Sequence, residues 1–139
     1  MSPSKIVTYS RVISLGLFGL ACILDAYCTA NECVNGTALL IGGIFGIFTG
    51  GAALAWLANP FIFLSWIIYK HPALSLFLSL VGLGIAFSFS FADQIITNEA
   101  GHYAPIIKLS IGYWLWTLSM LSMVVGNFLL IRKHHVKRN

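Results

Sequence analysis

The sequence predicts an all-α membrane protein: a four-transmembrane-helix bundle, one domain over residues 1–139, with both termini cytoplasmic. Three observations predict it. Of the 139 residues, 58% are hydrophobic and 9% are charged, against roughly 25% charged in soluble domains. The apolar residues gather into blocks at about 7–27, 38–69, 73–92 and 109–131, each long enough to cross a hydrocarbon layer of ~30 Å. The charges are sorted between the connections. Lys5 and Arg11 precede or open the first block, Lys70 separates the second from the third, and Arg132, Lys133, Lys137 and Arg138 close the chain. All four acids fall on the other side, Asp25 close to the outer end of the first block and Glu32, Asp93 and Glu99 in the other two connections, with Lys108 the one base beside them.

Excess Lys and Arg mark the cytoplasmic side. The net charge of +4 therefore reads as a topology signal in a multi-pass cell membrane protein of bacterial inner-membrane type, and no nucleic-acid partner is expected. Membrane lipid is an expected partner, since a basic tail attracts anionic headgroups at ~1 kcal/mol per residue near the surface. The first block has no small-residue cleavage site followed by a soluble protein, so it reads as a retained helix.

Helix 1 is expected from Val7 to Tyr27. The connection after it holds Cys28 and Cys33 on the side assigned to an oxidising compartment, where a Cys28–Cys33 disulfide is expected. The loop it closes is small, so the entropic gain is small too. Cys22 lies within the helix and reads as a packing residue. Asn35-Gly36-Thr37 matches a glycosylation sequon and is read as a chance match.

Helix 2, from Ala38 to Tyr69, is uncharged throughout. Gly42, Gly46 and Gly50 recur every four residues, with Gly43 and Gly51 in a second row ~100° away. Such rows form a groove that a neighbouring helix can approach closely. One row can serve contacts within the chain and leave the other for a second copy or a partner helix. Thirty-two residues of straight helix would span ~48 Å, so the element must tilt or break. Pro60 places the expected break near Ala58 or Asn59. Lys70-His71-Pro72 is a tight turn that returns the chain as an antiparallel hairpin.

Helix 3, from Ala73 to Ala92, carries Ser75, Ser79, Gly82, Ala86 and Ser90 on one small-residue face. The connection after it, Asp93 to Ser110, holds Gly101 and Pro105 and is expected to turn and not to continue as helix. Helix 4 opens with Gly112-Tyr113-Trp114-Leu115-Trp116, an interfacial aromatic anchor. Ser119, Ser122 and Gly126 continue its small face, and Asn127 lies near its end. The expected packing sets helices 2 and 3 antiparallel, with helix 4 returning beside them.

Residues able to carry chemistry are few. Asn59 adjoins the proline, where freed carbonyls need partners. It can bind a ligand, but an interhelical hydrogen bond is the plainer reading, and Asn127 has the same two readings. Asp93, Glu99 and His102 can in principle hold a cation or relay protons. Their spacing fits no metal motif, and loop charges are commonly just solvated. Neither a metal nor any other cofactor is expected. Two cysteines in an outer loop suggest quinone-coupled thiol oxidases, but four residues separate them and the second outer loop lacks a relay cysteine.

At Trp56-Leu57-Ala58-Asn59-Pro60, Asn98-Glu99-Ala100-Gly101 and Gly112-Tyr113-Trp114-Leu115-Trp116, the chain resembles small uncharacterised four-helix proteins of bacterial inner membranes. The resemblance implies a topology and no reaction. In size and layout the chain is also similar to immunity proteins against membrane-active toxins. Three function classes follow. The first is a non-catalytic protein acting through helix–helix interaction, as an accessory or assembly subunit or a toxin-immunity-type protein. The second is a homo-oligomeric channel or pore. The third is a membrane enzyme, the weakest because no nucleophile–base pair appears.

Overall fold

The structure, a computed structural model, describes residues 3–97 and 100–136. These residues are mostly helical and form five α-helices where four were expected: α1 Pro3–Ile23, α2 Gly36–Gly46, α3 Ala58–Ile67, α4 Pro72–Ser88 and α5 Ile111–Val136. Tight 3-10 turns at Ile47–Thr49 and Gly51–Leu57 join α2 to α3, and Phe89–Phe91 extends α4. Five short strands depart from the all-α expectation: β1 Asp25–Cys28, β2 Cys33–Asn35, β3 Gln94–Ile96, β4 Tyr103–Pro105 and β5 Lys108–Leu109.

The second expected helix is interrupted in a different place from Pro60. Pro60 is the third residue of α3, within the first turn, where a missing N–H is tolerated. The interruption is at Gly50 and Gly51, whose φ values are 73° and 59°. Side-chain-bearing residues rarely adopt such angles. The two glycines end one helical run and start another, so Gly42–Gly46–Gly50 and Gly43–Gly51 are not continuous rows on one helix. Asn35, noted only as part of a sequon, caps α2 by accepting the Ala38 N–H at 2.8 Å.

Helix 1 also ends earlier than the expected Tyr27, because Asp25–Cys28 pairs as a strand. β1 is the centre of a three-stranded antiparallel sheet in the order β2-β1-β5. β3 and β4 form a separate antiparallel hairpin. Backbone bonds from Ser110 N to Ala26 O (2.8 Å) and from Gly36 N to Leu24 O (3.0 Å) tie the starts of α5 and α2 to the end of α1. Gly112 makes the first closure possible. A Cβ there would lie 2.6 Å from the Asp25 carbonyl oxygen and 2.8 Å from that of Leu24.

α5 packs along both α1 and α4, and α4 along α3. The α3–α4–α5 neighbours follow the expectation, but the extensive α1–α5 pairing was not foreseen. It is antiparallel: Gly112 meets Asp25 at one end, and Gly126 meets Ser10 towards the other. On α4 the small face is turned inward, with Ser75, Ser79, Gly82 and Ala86 all buried. A Cβ on Gly82 would come within 3.3 Å of the Ala58 carbonyl oxygen. Serines and an asparagine stitch the helices together. Asn127 Nδ2 donates to Ser75 Oγ (2.8 Å), which is also bonded to Ser65 Oγ (2.8 Å). Trp66 Nε1 donates to Ser14 Oγ (2.8 Å), which in turn donates to Ser119 O (2.7 Å).

Among the described residues three helices are long and apolar enough to cross a membrane: Lys5–Ile23, Pro72–Phe91 and Ile111–Lys133. The fourth rod is divided into the shorter apolar runs Gly36–Thr49 and Gly51–Ile67.

Candidate binding cavity

The division of the fourth rod leaves space behind it. A cavity of about 420 Å³ lies between α2, the end of α1, the start of α5 and the turn that leads into α3. That volume lies within the range of small-molecule sites. Phe18, Ala21 and Cys22 of α1 form one wall, Leu39, Leu40 and Gly43 of α2 another, and Trp56, Asn59, Tyr113 and Trp116 a third. Tyr27 of the sheet and Ile95 of the β3–β4 hairpin lie at the strand-bearing end.

The aromatic walls are held by their polar atoms. Trp56 Nε1 donates to Leu40 O at 3.0 Å, tying the 3-10 turn to α2 across the break. The Cδ1 edge of its ring occupies the place of a side chain at Gly43, where a Cβ would overlap the indole. Tyr113 donates its hydroxyl to Ala86 O at 3.1 Å. Trp116 Nε1 donates to Asn59 Oδ1 at 2.9 Å. Asn59 is thus the interhelical hydrogen-bonding residue expected from the sequence, and it also faces the cavity.

Among the described residues no charged side chain lines this space. Burial, and after it the nearby Glu32 charge, push the Tyr27 hydroxyl above its ordinary range, so that group is neutral at physiological pH.

The remaining candidates lie elsewhere. Cys28 and Cys33 face each other across β1 and β2 and are joined by a disulfide. Thr29 closes the loop between them, its N–H bonding Glu32 O at 2.8 Å. Asp93 and His102 are exposed and flank the β3–β4 hairpin. They serve its backbone: Ile106 N bonds Asp93 O, and Thr97 N bonds His102 O, both at 2.9 Å. Glu99 lies outside the described residues. Among those that are described, no group of three His, Cys, Asp or Glu is placed to hold a metal ion.

The glycines divide by environment. Gly43, Gly46, Gly82 and Gly126 have neighbours that a Cβ would press or overlap, whereas Gly42, Gly50 and Gly51 have none within 4 Å. Gly42 is therefore not part of a closed seam; it borders the cavity. Trp56, Tyr113 and Trp116 were read only as flanking or anchoring aromatics. Their convergence depends on the Gly50–Gly51 reversal, which spacing along a continuous helix does not reveal.

The chain matches none of the protein-family models, curated proteins or solved structures with which it was compared.

Proposed function

We propose that this chain is a multi-pass membrane protein of bacterial inner-membrane type that acts without catalysis, by contact with another membrane protein or a second copy of itself. In this reading all four helical rods lie in the bilayer, and both termini face the cytoplasm. Supporting the orientation, Lys70 adjoins Tyr69, whose ring lies 4.5 Å below the Arg11 guanidinium. The acids Asp25, Glu32 and Asp93 belong to the opposite, strand-bearing end. Lipid-facing positions are filled by Phe77, Leu80, Phe128 and other exposed apolar side chains, the arrangement that suits a hydrocarbon surrounding.

The observation that carries the interaction reading is α2. None of its residues is buried. It presents Ile41 at 68% and Phe45 at 74% exposure, with Phe48 at 89% just beyond it. A short apolar helix held off the bundle can accept a neighbouring helix at little cost in repacking. Gly43 and Gly51 are poor crosslinking sites, the first filled by Trp56 and the second at positive φ. Ile41→Cys and Phe45→Cys, each with Cys22→Ala and the Cys28–Cys33 disulfide retained, test the surface. Intermolecular adducts at these positions, exceeding those from Phe77→Cys on α4, are expected in native membranes. Adducts no more frequent than at Phe77 refute an interaction surface on α2.

A further inference from the structure

Asn59 is 5% exposed and has an unusual balance of partners. Its Oδ1 accepts from Trp116 Nε1. An indole nitrogen only donates, so the atom turned to Trp116 must be the amide oxygen, and the orientation of the amide follows. Nδ2 carries the two remaining donors and has no hydrogen-bond partner among the described residues. Nor is it sealed in protein. The one buried, unpartnered side-chain polar atom among those residues is Arg11 Nε. Since Asn59 lines the cavity, its free donors open into it. On the membrane reading no bulk water reaches this depth, and a donor left without an acceptor there is costly.

The surroundings define what could supply the acceptor. No charged side chain lines the cavity among the described residues, so an ionic ligand would be buried unpaired. Phe18, Trp56, Phe89 and Trp116 provide apolar surface. An acceptor-only oxygen, as in an ester or ketone, satisfies Nδ2 without bringing a donor that needs its own partner. Access is through the α2 wall. No atom lies within 4 Å of the position a Cβ would take on Gly42, and α2 itself buries no residue. A molecule dissolved in the bilayer would therefore enter sideways.

We infer that the cavity behind α2 binds a neutral, largely hydrocarbon molecule bearing a carbonyl oxygen, which accepts a hydrogen bond from Asn59 Nδ2. The inference rests on the membrane placement and is independent of the partner contact proposed for α2.

The test uses the full chain in nanodiscs with two photoreactive probes of equal length, a diazirine-bearing methyl palmitate and a diazirine-bearing hexadecane. The ester probe is expected to label peptides containing Leu39–Gly46 and Ala52–Trp56, and excess unlabelled methyl palmitate should compete that labelling away. It should label them about fivefold more than the hydrocarbon probe, the effect of one neutral hydrogen bond. Peptides around Phe77 and Leu129, exposed on α4 and α5, should label without competition. Gly42→Leu puts a side chain into the open space and should abolish the competed labelling while near-ultraviolet circular dichroism is unchanged. Wild-type competition needs no variant. Labelling of the cavity peptides that is not competed, or is equal for both probes, overturns the inference. So does competed labelling that survives in folded Gly42→Leu. Native mass spectrometry separates the sources: a retained diacyl glycerolipid identifies the bilayer, and a smaller ester or ketone identifies a free lipophile. Either supports the inference, and a retained compound without a carbonyl counts against it.

Discussion

Gly126 and Ser10 offer the sharpest test of the α1–α5 pairing. A methyl group added at Gly126 would overlap Ser10 Cβ and Oγ. Rotation of the Ser10 side chain cannot relieve this, because Cβ is fixed by the α1 backbone, so the two helices must separate. Overpacking of this kind costs about 1–3 kcal/mol. Against it stands the helix-propensity gain of Ala over Gly, about 1 kcal/mol. Gly126→Ala alone is therefore expected to lower stability by a net amount of up to about 2 kcal/mol. In a Ser10→Gly background the obstruction is gone, and the same substitution should raise stability by about 1 kcal/mol. The coupling between the sites is then about 1–3 kcal/mol, well above the few tenths expected of independent positions. Ser10→Gly by itself loses a bond from Oγ to Val7 O (3.1 Å) within its own helix, a cost the double-mutant cycle cancels. Reversible unfolding in mixed detergent micelles, followed by circular dichroism, gives all four corners. Additive effects, with coupling below about 0.5 kcal/mol, would refute the contact as drawn.

Gly50→Ala, at φ 73° and ψ −161°, should destabilise by about 1–3 kcal/mol in the same assay, whereas Gly42→Ala should be neutral or stabilising by up to about 1 kcal/mol; the opposite ranking would restore a glycine seam across this region. Ser75→Ala removes the acceptor of Asn127 Nδ2 and should cost about 1–3 kcal/mol. Ser79→Ala loses only a bond to Leu76 O in its own helix and should stay within about 0.5 kcal/mol of wild type, so equal costs would show that burial and not the interhelical bond matters. Thiol blocking of protein from intact cells, read by mass spectrometry without reductant, should modify Cys22 alone. Reducing the Cys28–Cys33 bond should cost no more than about 2 kcal/mol, given the short loop; three blocked cysteines would remove the disulfide.

Composition and the order of the apolar blocks made much of the helical architecture legible. Apolar blocks of helical length and small residues at four-residue spacing located α1, α4 and α5 and the inward face of Ser75, Ser79, Gly82 and Ala86, because side chains four apart share a helix face whatever surrounds them. Turn residues likewise marked 93–110 as non-helical. The same periodicity misread Gly42 to Gly51. Glycine is compatible both with a close-packed helix face and with a left-handed reversal, and a single sequence does not separate the two. The reversal was decided by tertiary contacts: Trp56 reaches back to Leu40 and fills the space at Gly43, a pairing that requires the chain to change direction at Gly50. Part of the strand pairing was equally out of reach: β1 meets β2 within a few residues, but its other edge is paired by β5 some eighty residues later. Asn59 shows the division most clearly. Its residue type and neighbouring proline marked it as the polar group to watch. Only the placement of Trp116 assigned its oxygen a partner and turned its nitrogen towards an open, uncharged space.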